Sequence, residues 1–498
     1  MSKSSARMLA LAAAMALLLT GCDGLLVSPG DSVRETLPSP VSNSPAAPVG
    51  DDQMLNSFYA WLSYPNADGT AYAPVSRLFT DTSLNDEAFA ALQALLEGGA
   101  SSVRSPAPEG TRLVSVEIAS RIATVNLIPG RMLSDDEKAT IAACVSATLF
   151  NLTELSAVNV LLAGRPLTLY SLPVGALRES DVTSISDLKE HLQRDGAAAR
   201  CAAVYYPDAG GRLVVPTLRS LSADSDNAAG QLLTLLASVP GQTGLLPAIA
   251  AREGLLTSPC TLSAADNNRL VLDIPFSTAV YDALEESDVS RWQFLASVVL
   301  TLTTYIDELD GIRISFDGKP VKSVPLPDGG SLSFENNLLT RADFSGSIGE
   351  IAVLYFVDEN GTLSPEFRAL PAGDATSIRA RLALLMETPL TDSLTSAIPD
   401  GITPSDLLGA GLRNDTALVN LSRNAYALCQ PLTPEEEARF VYAIVNTLTR
   451  MNNVNAVRFY VEGQTVDTLS GSICIKNYLL PNRGLCAGHT LAAASETP

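Results

Sequence analysis

Histidine occurs only twice in the 498 residues, as His191 and His489, and tryptophan is equally rare. His191 lies in the charged stretch SDLKEHLQRD and His489 in a Gly-rich tail, so neither has the neighbours that an imidazole base or a metal site requires. The seven cysteines form no CxxC pair and no other metal-ligand spacing. Phosphate loops of the GxxxxGK[ST] kind and G-x-S-x-G elbows are missing. Basic residues are few: 33 Lys+Arg face 54 Asp+Glu, a net charge of −21, which makes nucleic acid a poor partner. There is also no run of about 20 apolar residues that could span a bilayer as a helix. The chain therefore reads as a protein that is not an enzyme, with no cofactor and no metal.

What is present starts at the first residues. Lys3 and Arg7 precede an apolar run from Leu9 to Leu19, and Leu19-Thr20-Gly21-Cys22 follows. This is the layout of a secretory signal. Its last four residues resemble the bacterial lipobox, in which a diacylglycerol alkylates the cysteine thiol and a peptidase cuts before it. A thiol suits that step because its thiolate is a strong nucleophile. Residues 1–21 are thus expected to be a lipoprotein signal peptide and Cys22 the lipidation site. The mature chain would then be held at the cell membrane, facing outside the cytoplasm. Residues 22–52 comprise this cysteine and a disordered tether, rich in Pro, Ser, Asp and Val, that cannot bury a core. The other cysteines are Cys144, Cys201, Cys260, Cys429, Cys474 and Cys486. Their even number permits disulfides without indicating any; buried single thiols are the plainer reading, and a bridge among the last three is the alternative.

With a hydrophobic content of 46%, the remainder is expected to fold. One set of landmarks recurs in it three times in the same order. A strand runs into an acidic or Gly turn at Leu62–Gly69, Val204–Gly210 and Leu354–Gly361, and a second strand follows, which makes a hairpin. An amphipathic helix ends on paired leucines at Leu95-Leu96, Leu235-Leu236 and Leu384-Leu385. A strand pair comes next, clearest as SVEIAS with RIATVNLI. A long helix then opens at Ser134-Asp-Asp-Glu137, Ser287-Asp-Val-Ser290 and Thr433-Pro-Glu-Glu436; the first and third fit the capping box. Each copy closes with a strand into a Gly turn, at Val158–Gly164, Ile312–Gly318 and Val457–Gly463. The order is roughly ββαββαβ: an α+β fold in which two helices pack on a mostly antiparallel sheet.

Three groups of side chains invite a functional reading. Asp135-Asp136-Glu137 and Glu435-Glu436-Glu437 could serve as paired carboxylates, but their place in a first helical turn is explained by the positive end of the helix dipole. Asp68, Asp208 and Asp358 lie in the hairpin turns, where Asp accepts the backbone geometry, and no twelve-residue calcium loop surrounds them. Tyr64, Tyr205, Tyr206, Tyr355 and Phe356 recur beside the turn, either as a recognition platform or, the favoured reading, as core packing against the long helix.

The recurring pattern resembles the GerMN domain family of sporulation and germination lipoproteins. Copy 3 carries the resemblance best, in Val353-Leu-Tyr-Phe356, Leu382-Ala-Leu-Leu385, Ile398-Pro-Asp-Gly401, Leu418-Val-Asn-Leu421 and Val457–Gly463. Copy 1 repeats it in Pro108-Glu-Gly110 and Val125-Asn-Leu127, whereas copy 2 lacks a clear Pro-x-Gly and has an insertion around Gly241 to Cys260. The expected division is a GerMN-like repeat at 53–178, a degenerate one at 196–328 and a third at 345–482, with a flexible tail at 483–498. The resemblance implies a structural or protein-interaction role in sporulation or spore germination, with protein partners in the sporulation envelope and similarity to ring-building motifs. Peptidoglycan, or another cell-envelope ligand, is the alternative partner.

Overall fold

Each set of landmarks forms a matching set of elements in the computed structural model, which describes residues 46–48 and 56–487 apart from 83–86, 99–102, 171, 195–199, 222–226, 266–268, 307–308, 414 and 452–453. Copy 1 consists of β1 (Asn56–Pro65), β2 (Tyr72–Thr82), α1 (Glu87–Glu97), β3 (Arg112–Ala119), β4 (Ile122–Ile128), the long helix α2 (Asp135–Leu152) and β5 (Ala157–Leu162). Helix α3 (Ile185–Arg194) leads into copy 2: β6 (Arg200–Pro207), β7 (Val214–Leu221), α4 (Ala228–Leu236), β8 (Thr261–Ala265), β9 (Arg269–Phe276), α5 (Ala279–Glu286), the long helix α6 (Arg291–Tyr305) and β10 (Leu309–Phe316). A one-turn helix α7 (Arg341–Phe344) precedes copy 3: β11 (Gly349–Val357), β12 (Leu363–Pro371), α8 (Ile378–Leu385), β13 (Leu407–Arg413), β14 (Thr416–Leu421), α9 (Arg423–Cys429), the long helix α10 (Pro434–Leu448) and β15 (Ala456–Val461).

The fold is α+β, and each copy divides its strands between two sheets. The hairpin stands alone as a two-stranded sheet. In the second sheet the first two strands are antiparallel, while the third lies parallel to its neighbour, as β4 with β5, β9 with β10 and β14 with β15. The long helix supplies the crossover that lets a strand return in the same direction. Copies 2 and 3 insert a further short helix, α5 or α9, before the long one.

Local chemistry fixes the helix starts. Ser134 and Thr433 each accept a hydrogen bond from the backbone N–H three residues on, and Glu137 and Glu436 bond back to the cap. In copy 2 the long helix begins one turn later than Ser287 suggests. Ser290 is its cap, accepting from the Gln293 N–H, while Ser287 ends α5 and Asp288 breaks the path with φ of 54°.

One bond ties hairpin to long helix in every copy. The hydroxyls of Thr148, Thr301 and Thr447, all fully buried, accept from the backbone N–H of Ser63, Tyr205 and Tyr355 at 3.0, 3.0 and 3.1 Å. A Thr301→Val variant keeps the branched shape but strands a buried N–H. The expected cost is about 1–3 kcal/mol, measurable by urea unfolding; an unchanged midpoint would show that the bond contributes nothing.

The middle copy is the hub. Every residue of α6 from Trp292 to Tyr305 is buried, and β6 is buried from Cys201 to Pro207. Leu218 of β7 packs with Ala157 and Ala176 of copy 1, and Ala119 and Ile122 of copy 1 join the copy 2 core. From the other side, Ile351 and Ala369 of copy 3 pack against that core, and Val214 forms a parallel bridge to Ile348. Polar contacts hold the seams: Arg165 meets Asp310 at 2.6 Å, and Arg341 donates to Glu117 of copy 1 at 3.0 Å, to Thr304 at 2.6 Å and to the Tyr205 hydroxyl at 3.3 Å. Pro48 is also buried, and its carbonyl accepts from Asn420 Nδ2 of copy 3 at 3.3 Å. Among the described residues no helix is long and apolar enough to cross a membrane.

Candidate interaction site

The residues that sequence singled out for chemistry do not converge. Cys22 and His489 lie outside the described residues, and His191 falls within α3. Among the described residues no group of His, Cys, Asp or Glu could hold a metal ion. The six cysteines from Cys144 to Cys486 are unpaired; burial pushes the thiols of Cys144 and Cys429 up to about 12, Cys429 with help from nearby Glu437, so both stay protonated and inert.

The turn carboxylates do turn work, with one correction. Asp208 accepts from the N–H groups of Gly210, Arg212 and Leu213, and Asp358 from those of Asn360 and Thr362. In copy 1 the matching residue is Asn66, which accepts from Thr70 and Ala71; Asp68 lies two residues further on. Asn serves here because its carbonyl oxygen caps the same turn without charge.

Of the acidic helix starts, Asp135, Glu137 and Glu436 serve their caps and neighbours. Glu437 was not distinguished by sequence. It is fully buried, and its two oxygens accept from the backbone N–H groups of Leu469 (2.9 Å), Ser470 (2.8 Å), Ser472 (2.7 Å) and Ile473 (3.1 Å). Burial pushes its carboxyl up, but these donors outweigh it and hold the group below the usual glutamate range. The Ser-Gly-Ser segment at 470–472 was the one available signal of a loop built round an anion.

The recurrent aromatics are mainly core. Tyr64, Tyr205, Tyr206 and Phe356 are fully buried. Tyr64 and Tyr206 donate to the carbonyls of Ala94 and Leu235 near the ends of α1 and α4. Phe356 has no hydroxyl, and there Arg368 lies over the ring and reaches the Leu384 carbonyl instead.

The surface worth following is the other face of the hairpin. Cross-strand register pairs Tyr59 with Leu78, Trp61 with Ser76 and Ser63 with Pro74 on one face of copy 1. The same three levels are Cys201/Ser220, Ala203/Leu218 and Tyr205/Pro216 in copy 2, and Ile351/Ala369, Val353/Phe367 and Tyr355/Pro365 in copy 3. Copy 1 packs on this face of copy 2 at Cys201 and Leu218, and the copy 2 core packs on that of copy 3 at Ile351 and Ala369. In copy 1 it is open: Tyr59 is 70% exposed, Trp61 53% and Leu78 49%.

Beside Trp61 lies a concavity of about 620 Å³, lined by Trp61, Ser63, Tyr72, Phe150, Asn151 and Glu179. Tyr72 closes one side by donating to the Val182 carbonyl at 2.7 Å, and burial raises its phenol. A second concavity, of about 510 Å³, opens between copies 1 and 3. Among its charged lining residues, Glu154 pairs with Arg121 and Glu350 with Arg381, and Glu117 is held by Arg341 from outside the lining, so it is a seam of the body.

Residues 61–168, 203–322 and 353–467 each match the family model Germane, described as sporulation and spore germination. The chain belongs to this family. Its three Germane copies thus coincide with the three structural sets. Among solved structures, the tandem GerMN domains of the sporulation protein GerM from Bacillus subtilis align at 15% identity over 58% of this chain and 99% of that one, with a TM-score of 0.24. The first GerMN domain of the same protein aligns at 20% over 26% and 96%, with a TM-score of 0.23. A chain described as a Clostridium perfringens lipoprotein aligns at 23% over 26% and 87%, with a TM-score of 0.19. No curated protein matches the chain.

Proposed function

We propose that this Germane protein is a structural component of sporulation or spore germination, held at the outer side of the cell membrane by a lipid on Cys22, and that it acts by binding protein rather than by catalysis. The hairpin faces carry the reading. Two of the three pack in part against a neighbouring copy, and the third presents Tyr59, Trp61 and Leu78 to solvent. Such an apolar surface on a folded body is the mark of an interface. The anchoring rests on the signal and lipobox pattern of residues 1–22.

The test is the position of a tagged protein in sporulating and vegetative cells, native against Cys22→Ala. Native protein concentrated at the membrane around the developing spore, with the variant dispersed, is the expected result. Even placement around vegetative cells would remove the sporulation role, and unchanged placement of Cys22→Ala would remove the anchor. A second reading, an envelope-glycan module, draws on the concavity beside Trp61, where an indole face adjoins Asn151 and Glu179.

A further inference from the structure

The concavity of copy 1 is lined at one level by the small residue Ser63. Ser63 stands where the other copies carry Tyr205 and Tyr355, as the cross-strand prolines Pro74, Pro216 and Pro365 and the bonds to Thr148, Thr301 and Thr447 show. In copy 2 the tyrosine fills this place, and a guanidinium covers it. Arg341 lies 5.7 Å from the Tyr205 ring centroid, donates to its hydroxyl and donates to Thr304 of the long helix. Counting from the shared threonine, Thr304 corresponds to Asn151 of copy 1. Asn151 uses its Nδ2 on the Ser63 hydroxyl at 3.4 Å, and its Oδ1 has no partner among the described residues. Glu179 on the rim is exposed, with no ion pair among the described residues. Trp61 offers an indole face beside them.

The lining thus offers the groups that a guanidinium uses, an aromatic side chain, an amide oxygen and a carboxylate, each on an exposed residue. Arginine is the cation that uses all three, because its planar group stacks on the ring while its N–H fork bonds in the plane. The chain's net charge of −21 favours a cationic partner at longer range. We infer that the concavity of copy 1 binds an arginine side chain presented by a segment of a protein partner, over Trp61 and against Asn151 and Glu179; Arg341 in copy 2 uses the same kinds of group, a ring one level along the strand (Tyr205), an oxygen at the position of Asn151 (Thr304) and a carboxylate (Glu117). The inference rests on the protein-binding role proposed above and names the chemistry of the partner.

Tryptophan fluorescence tests it, since Trp61 is 53% exposed and the only other tryptophan, Trp292, is 8% exposed in the core. The probes are a capped hexapeptide with one arginine between tyrosine and glycine, its lysine counterpart, and a peptidoglycan disaccharide. The arginine peptide should give a saturable change in emission, about fivefold weaker with lysine and about tenfold weaker with Glu179→Gln. Asn151→Leu, which removes the amide acceptor, should weaken it as well, and exposed Trp61→Phe, read by calorimetry, should weaken binding without lowering thermal stability. No saturable change at millimolar peptide, equal binding of the lysine peptide, or binding of the disaccharide alone would overturn the inference. If the peptides fail while the tagged protein still gathers at the sporulation membrane, only the arginine site falls. If the peptide binds and the localisation fails, the site stands and the sporulation role falls.

Discussion

Glu437→Gln is expected to destabilise the protein by about 3–5 kcal/mol, more than any cap substitution. Glutamine keeps the shape but turns one acceptor oxygen into a donor, which then faces the N–H groups that Glu437 receives from Ser470 and Leu469 or from Ser472 and Ile473. Charged hydrogen bonds contribute about 1.5–3 kcal/mol each, and stranded buried donors cost about 1–3. The pH dependence has a fixed sign. The folded carboxyl titrates below the usual range, so its stabilisation is present above the unfolded value of about 4.3 and is lost as pH falls through the folded value. Urea titrations of both proteins at pH 7 and pH 3 should therefore show a gap that narrows in acid. A constant gap would mean that the charge is not what the loop requires.

Arg341→Met should cost about 2–4 kcal/mol, because it leaves Glu117, Thr304 and the Tyr205 hydroxyl without their shared donor at the junction of copies 1 and 2. Pairing it with Glu117→Gln should cost less than the sum of the single changes, since the neutral side chain no longer needs a cation. Strict additivity would show that the two groups do not interact. If copies 1 and 2 separate as units, the unfolding transition of Arg341→Met should also broaden or split.

Much of the fold was legible because it is locally encoded. The helix closing on Leu384-Leu385 ends where periodicity placed it, at Leu385, and Ser134 and Thr433 cap as their spacing requires. The landmark order held through all three copies because each landmark is a turn, a cap or a period rather than a distant contact. What escaped was tertiary. Copy 2 looks degenerate as a free-standing domain, yet its departures are those of an element with neighbours on all sides. RCAAVYYP does not alternate, and RWQFLASVVLTLTTY is apolar all round, the pattern of a strand and a helix buried on every face. Glu437 is indistinguishable in sequence from Glu435 and Glu436, because adjacency in a first turn looks alike whether a carboxylate faces water or a loop 32 residues away. Trp61 does not recur as the tyrosines do, and being unlike its counterparts Ala203 and Val353 is what marks it. Cross-copy difference was the better guide to the open surface, and cross-copy identity the better guide to the core.

The seating of Pro48 on Asn420 has a mechanical consequence. Tension applied to the chain upstream of Pro48 meets the third copy before it reaches β1 of the first. The load would thus enter the body at the sheet of β13, β14 and β15 and spread through the hub, while the hairpin that carries Tyr59 and Trp61 stays out of the line of force. A pull from upstream of Pro48 would in this way leave the surface of Tyr59, Trp61 and Leu78 undistorted.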